Sequence, residues 1–147
     1  MTQHSTQQPP DHRLTQLKEW LQRTTPSMGI ALETLEPASS DASFRRYFRV
    51  KAHDRTLIVM DAPPTQENCE PFLHVTALLR DVGLNVPTIL AQNLQHGFLL
   101  LSDLGPQTYF QAIQTGLPDA VLQARYKEAL SALATMQTAQ TSGLPFY

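Results

Sequence analysis

The sequence predicts an α+β fold, in which a five-stranded antiparallel sheet and one helix are followed by further helices. Three observations predict it. Residues 44–51 alternate between two faces, as in a strand, and residues 57–60 and 97–101 are apolar runs of strand length. Residues 72–82 carry apolar side chains at helical spacing between these strands. At 147 residues, the chain has the length of one ordinary domain.

The first third of the chain contains a tail, a helix and a strand. Residues 1–12 are rich in Gln, Thr and Pro, which predicts a disordered tail. Leucines three or four positions apart predict an amphipathic helix over residues 13–23. Apolar residues from Ile30 onwards predict a first strand that ends at Glu36-Pro37.

The second strand, residues 44–51, has side chains that point alternately to the two faces of the sheet. Arg46 and Phe48 lie on one face, whereas Arg45 and Arg49 lie on the other. A hairpin turn at residues 53–54 then leads into the third strand. That strand is a continuous apolar run, typical of a buried position, and Pro63-Pro64 ends it because proline cannot donate to a sheet.

The second half of the chain continues with a helix over residues 72–82, which Gly83 closes. Two strands follow, at residues 88–91 and 97–101, and Gly105-Pro106 breaks the chain after them. The sequence then predicts a short helix that starts near Tyr109 and a longer one over residues 118–137, with an apolar face.

Composition limits the classes of function. A net charge of −2 gives no reason to expect a nucleic acid or an anionic membrane as partner. The apolar runs are too short to span a bilayer, and no secretory signal is visible at the start. A single cysteine, Cys69, excludes an intramolecular disulfide and fits a reducing compartment. We therefore expect a cytoplasmic protein.

A segment of small residues before the second strand is the first candidate binding site. Ser39, Ser40, Ala42 and Ser43 would let a phosphate approach the backbone, and Asp41 could hold the turn in shape. Either of the next two arginines could donate a charge-assisted hydrogen bond. The ordinary alternative is a Ser/Asp turn beside a solvated basic strand face. The candidate nucleotide contacts here are Ser40, Asp41, Ala42, Ser43, Phe44, Arg45 and Arg46.

Three segments, in this order, resemble the aminoglycoside-phosphotransferase superfamily. They are Asp-Ala-Ser-Phe-Arg-Arg-Tyr-Phe-Arg-Val at 41–50, Leu-Ile-Val-Met-Asp-Ala-Pro-Pro at 57–64 and Glu-Asn-Cys-Glu-Pro-Phe at 67–72. They are most similar to the branch of bacterial anomeric kinases of the cell-wall amino sugars N-acetylmuramate and N-acetylglucosamine. The resemblance covers residues 30–135, roughly, and only the first part of the family's length.

The resemblance implies a protein-kinase-like small lobe that binds nucleotide over residues 13–104. Residues 105–147 would then be the exit from the hinge and the first helices of a truncated helical second lobe. It also implies that the carbonyl of Ser102 and the N–H of Leu104 pair with adenine, with Asp103 between them in the nucleotide site. ATP and Mg²⁺ are the implied cofactors, and a sugar hydroxyl is the implied acceptor.

The same resemblance implies what the chain lacks. Met60 stands where many kinases carry a lysine on the third strand, so Arg45 or Arg46 together with Mg²⁺ would have to neutralise the phosphates. The family's catalytic carboxylate and metal ligands come from its second lobe, so we predict neither in this chain. We expect the 147-residue chain alone to have no phosphotransferase activity.

Other interpretations of the function stay open at this point. The chain could be a non-catalytic module that binds nucleotide or a partner protein through the same surface. An acetyltransferase-like or other α+β domain is a weaker alternative, because nothing suggests a site for an acyl carrier. The acceptor could be an amino sugar, an aminoglycoside or another hydroxyl compound. An exposed apolar face on the last helix could also drive self-association.

Overall fold

The structure, a computed structural model, describes residues 11–40 and 43–142. Most of the predicted tail lies outside these residues. The helices are α1 (His12–Thr24), α2 (Glu70–Asp81), α3 (Tyr109–Gln114) and α4 (Asp119–Met136), with a short 3₁₀ turn at Pro26–Met28. The strands are β1 (Ile30–Ser40), β2 (Arg46–Ala52), β3 (Arg55–Asp61), β4 (Ile89–Asn93) and β5 (Phe98–Ser102).

The five strands form one antiparallel sheet with the order β1-β2-β3-β5-β4. β3 lies at its centre, where Val59 pairs with Phe48 of β2 on one side and with Leu100 of β5 on the other. This central position explains the apolar run of β3, because both faces of the strand are covered. The predicted α+β fold with a five-stranded antiparallel sheet is confirmed.

One face of the sheet packs against α1. Asp11 caps this helix by accepting a hydrogen bond from the Leu14 N–H at 3.0 Å. The leucines that predicted the helix, together with Trp20, face the sheet, and the Trp20 and Phe98 rings lie 5.7 Å apart. The buried residues of this first core are Leu17, Trp20, Leu21, Phe48, Val50, Ala52, Leu57, Val59, Phe98 and Leu100. We call this side of the sheet the α1 face.

The opposite side of the sheet, which we call the cleft face, packs against α2. Its core is smaller and consists of Met60, Ala62, Cys69, Leu99 and Leu101, with Tyr47, Ile58, Phe72, Leu73 and Ile89 partly buried against it. The buried stripe of α2 therefore includes Phe72, Leu73 and Thr76. Val75, one of the apolar residues at helical spacing within 72–82, is 37% exposed because it lies beside this stripe rather than within it.

β1 is longer than the sequence predicts. Pro37 was expected to end it, yet the strand continues to Ser40, which pairs with Arg46. β1 is an edge strand and its register against β2 shifts between Pro37 and Ser39. An edge strand has no hydrogen-bonded neighbour on its outer side. The N–H that proline lacks is therefore not needed there, and the strand continues past Pro37.

A buried carboxylate fastens α1 to the sheet. Asp61, at the end of β3, has no solvent exposure and accepts hydrogen bonds from the Nε atoms of Arg13 and Arg46, each at 3.0 Å. Arg46 also pairs with Asp11, and Arg13 also donates to the His96 carbonyl at 2.8 Å. A buried charge is tolerated only when it is paired and hydrogen-bonded, and two guanidinium groups meet this need here.

The last two helices bury little. α4 contributes no buried side chain within the described residues, and Phe110 of α3 and Leu130 of α4 are 68% and 63% exposed. The two helices touch through a hydrogen bond from the Tyr109 hydroxyl to Glu128 at 3.1 Å. Within residues 11–40 and 43–142, no helix combines the length and apolar character needed to cross a membrane.

Candidate functional site

A cleft of about 350 Å³ opens on the cleft face, where the sheet meets the chain that leaves β5. Ser39, Tyr47 and Ile58 contribute to it from β1, β2 and β3, and the segment Ser102–Leu104 borders it. Ile58, Leu101 and Phe72 give it an apolar lining, while the backbone after β5 provides polar groups. A mostly apolar cavity with a few polar groups at one side is the usual form of a small-molecule site.

Ser102 is held by Thr88, the residue directly before β4. Its N–H donates to the Thr88 carbonyl at 2.9 Å, and its hydroxyl accepts from the Thr88 N–H at 2.8 Å. The chain then leaves the sheet, and the Leu104 side chain is 58% exposed. Ser102, Asp103 and Leu104, predicted to form one site, all border the same cleft.

The Asp103 side chain anchors this segment to the sheet through hydrogen bonds. Its carboxylate accepts hydrogen bonds from Arg49 Nε at 2.6 Å, from the Thr56 hydroxyl at 2.7 Å and from the Gly105 N–H at 2.9 Å. The hydrogen bond from Arg49, supported by those from Thr56 and Gly105, lowers the pKa of Asp103 to about 2. The side chain thus ties β2, β3 and the chain after β5 together.

The predicted phosphate-gripping segment is described only in part. Asp41 and Ala42 lie outside the described residues. Ser40 ends β1, and the Ser43 hydroxyl accepts from the Arg45 N–H at 3.2 Å. Phe44 is 61% exposed.

The two candidate arginines lie on opposite faces of the sheet. Arg46 is on the α1 face, where it pairs with Asp61 and Asp11 and lies 5.6 Å from the centre of the Phe48 ring. Arg45 is on the other side, where its Nε donates to Glu67 at 3.1 Å. The structure thus agrees with the alternation predicted from the sequence, and of these two arginines Arg45 is the one on the face that carries the cleft.

Comparison with known proteins identifies the family. A family model described as "Phosphotransferase enzyme family" matches residues 34–147, which is most of the chain. The chain belongs to this phosphotransferase family.

Individual relatives agree with this assignment. The chain is 48% identical to a protein of Pseudomonas aeruginosa over 93% of its own length, and 42% identical to one of Pseudomonas putida over 87% of it. A protein of Neisseria meningitidis is 37% identical over 92% of the chain. All three are named N-acetylmuramate/N-acetylglucosamine kinase.

These alignments cover only part of each relative. The chain spans 42%, 39% and 40% of the three proteins, in the same order. No solved structure shows a significant match to the chain.

Met60 is buried, as its position on a central strand requires. It has no solvent exposure and belongs to the core on the cleft face, with Leu99 and Ala62. Met60, which the sequence resemblance equates with the strand lysine of many kinases, is thus an apolar core residue.

Three charged residues of this region were not singled out from the sequence. They are Arg13 and Asp61, which join α1 to the sheet, and Glu67, which binds Arg45. Asp61 carries a signal that could have been used, because a carboxylate directly after four apolar residues of a buried strand needs a partner. Glu67 carries no such signal, since it lies 22 residues from Arg45 in a polar segment.

Metal ligands are a separate question for a member of this family. Carboxylate oxygens are the ligands that Mg²⁺ prefers. Within residues 11–40 and 43–142, no group of three or more His, Cys, Asp or Glu side chains is arranged to hold a metal ion. Asp103 is already bound to Arg49 and Thr56.

We predict that Asp103 stabilises the fold in a pH-dependent way. Its folded-state pKa, about 2, lies below its ordinary value of 3.8, so its contribution is present above pH 4, roughly, and is lost as the pH falls towards 2. Asp103→Asn should lower the free energy of unfolding by about 2 kcal/mol at pH 7, and by much less near pH 2.

Urea unfolding of the wild type and of Asp103→Asn between pH 7 and pH 2 measures this difference. Asp81→Asn is the matched control, because Asp81 is exposed at the end of α2. If the free energies of unfolding of the wild type and of Asp103→Asn fall in parallel between pH 7 and pH 2, the predicted contribution of Asp103 is wrong.

Proposed function

We propose that this chain is the nucleotide-binding half of an ATP-dependent kinase that phosphorylates a hydroxyl group of a cell-wall amino sugar. N-acetylmuramate and N-acetylglucosamine are the proposed acceptors. The observation that carries this proposal is the 48% identity, over 93% of the chain, to a relative named for a kinase of these two sugars. The cleft beside Ser102–Leu104 supports it, because it offers the surroundings that an adenine ring requires.

In this proposal the adenine ring lies against the apolar lining of the cleft, over the paired residues Ile58 and Leu101. Its edge pairs with the backbone carbonyl of Ser102 and the N–H of Leu104. The hydrogen bonds that Thr88 donates to Ser102 and that Arg49 donates to Asp103 support this role, since they fix the chain at and between the pairing groups. Preorganised groups lose less entropy on binding than mobile ones.

The phosphates of the nucleotide are proposed to extend towards residues 39–45. Arg45 is the cation of that segment on the cleft side of the sheet, and its contacts with Glu67 and Tyr47 use only part of its five N–H donors. Arg46 is proposed to be part of the scaffold, because its guanidinium is bound to Asp61 and Asp11. In this proposal Arg45 supplies the positive charge that a lysine at the position of Met60 would supply in many kinases.

The transfer itself requires groups that the described residues do not bring together. The sugar hydroxyl oxygen attacks the γ-phosphorus, the bond from that phosphorus to the β–γ bridging oxygen breaks, ADP leaves and the hydroxyl proton goes to a base. Mg²⁺, when bound, would neutralise charge on the phosphates. We propose that the base and the Mg²⁺ ligands lie in a second helical lobe that begins within residues 105–147. The exposed apolar side chains of α3 and α4 support a further covering lobe.

The activity is tested on the natural gene product, purified from its host and weighed by mass spectrometry. Incubated with ATP, Mg²⁺ and N-acetylmuramate or N-acetylglucosamine, it should produce a sugar phosphate and ADP in equal amounts. The 147-residue chain alone should bind ATP without producing either. A gene product that binds ATP but phosphorylates neither sugar would contradict the proposed acceptors and favour the non-catalytic module.

The different roles proposed for Arg45, which contacts phosphate, and Arg46, which supports the fold, give a second prediction. Arg45→Ala should raise the Kd of the chain for MgATP roughly tenfold without changing that for adenosine, because one charge-assisted hydrogen bond to a phosphate is lost. Arg46→Ala should lower the free energy of unfolding by about 3 kcal/mol, because the buried Asp61 loses a partner. It should leave the ratio of the two Kd values unchanged.

Titrations followed by NMR and urea unfolding measure these effects in the same two variants. Each variant is the control for the other, since both remove one arginine from adjacent positions. If Arg46→Ala selectively weakens ATP binding and Arg45→Ala does not, the roles are reversed and the proposal is wrong.

A further inference from the structure

Glu67 lies between β3 and α2, in a segment that the proposed function leaves without a role. Its side chain is 14% exposed, and both of its carboxylate oxygens are used. Oε1 accepts from the backbone N–H of Phe44 at 3.2 Å, and Oε2 accepts from Arg45 Nε at 3.1 Å. One side chain therefore binds two consecutive residues at the end of the segment proposed to receive the phosphates.

The backbone that carries Glu67 is itself fixed to the sheet. The N–H groups of Gln66 and Glu67 donate to the Pro63 carbonyl at 2.9 and 2.8 Å, which makes a tight turn directly after β3. The Ala62 N–H donates to the Gly97 carbonyl at 2.8 Å, at the start of β5. The approach of the two chains there is close, because a Cβ added to Gly97 would lie 1.8 Å from the Ala62 carbonyl oxygen. Glu67 thus projects from a rigid support.

The orientation of the Arg45 guanidinium explains how this arrangement can bind an anionic ligand. The carboxylate engages the Nε donor of Arg45, and the two terminal nitrogens of a guanidinium carry its other four N–H groups. Fixing Nε sets the direction in which those groups point. The bond to the Phe44 N–H fixes the neighbouring peptide plane in the same way.

We propose that Glu67 is a positioning residue for the phosphates of the nucleotide. It orients the Arg45 guanidinium and the peptide at Phe44 before the nucleotide arrives, and so lowers the entropy that phosphate binding would otherwise lose. It touches neither the nucleotide nor the sugar. This inference rests on the proposed function, since it assumes that the phosphates bind beside Phe44 and Arg45.

The test compares two ligands that share the adenine but differ in the phosphates. Glu67→Ala should raise the Kd of the chain for MgATP roughly tenfold, in line with the loss of an oriented charge-assisted contact, and change the Kd for adenosine by less than about twofold. Glu67→Gln should have a smaller effect, because the amide oxygen still accepts from the Phe44 N–H. Glu70→Ala is the matched control, since Glu70 is an exposed glutamate three positions away in the first turn of α2.

The outcomes separate this inference from the function on which it rests. If the wild-type chain binds neither MgATP nor adenosine, the proposed nucleotide site is wrong and the inference is overturned with it. If the wild type binds both but Glu67→Ala weakens them equally, Glu67 is a structural residue and only the inference is overturned. Tighter MgATP binding by Glu67→Ala would show that the carboxylate competes with the phosphates, which also overturns it. Should Glu67→Ala fail to fold, Glu67→Gln must still raise the ratio of the MgATP and adenosine Kd values, and an unchanged ratio overturns the inference.

Discussion

The alternation of side chains along β2 is the constraint on which the rest of the molecule depends. Successive side chains of a strand point to opposite faces, so Arg46 and Phe48 must face α1 while Tyr47 and Arg49 must face the cleft. One strand thereby supplies both the scaffold and the site. A shift of one residue in the register of β2 would exchange the two sets and leave Asp61 buried without Arg46.

Two carboxylates, at the end of β3 and directly after β5, hold the alternating side chains of β2 in place. Asp61 binds Arg46 on the α1 face, and Asp103 binds Arg49 on the cleft face, so two arginines of the same strand are held on opposite sides. The first pair attaches α1, and the second attaches the chain that leaves β5. The backbone proposed to read adenine is thus supported by the same strand that brings Arg45 to the proposed phosphate end.

The sequence predicts the fold well because its periodic patterns are local. The alternation of residues 44–51, the apolar run of β3 and the leucines of α1 each identify an element without reference to distant residues. The candidate site is predicted less completely, because its ion pairs join residues far apart in the chain. Arg13 and Asp61 are 48 residues apart, and Arg45 and Glu67 are 22 apart, so no local pattern connects them. The continuation of β1 past Pro37 likewise depends on its edge position, which only the assembled sheet defines.

The central claim is that nucleotide binds on the cleft face, between the chain after β5 and the end of β1. Hydrogen exchange of the chain, with and without a non-hydrolysable ATP analogue and Mg²⁺, tests this claim most directly. We expect protection in residues 101–105 and 39–46 and unchanged exchange in α1, on the opposite face. Protection confined to α1, or no protection in either cleft segment at saturating analogue, would contradict the account.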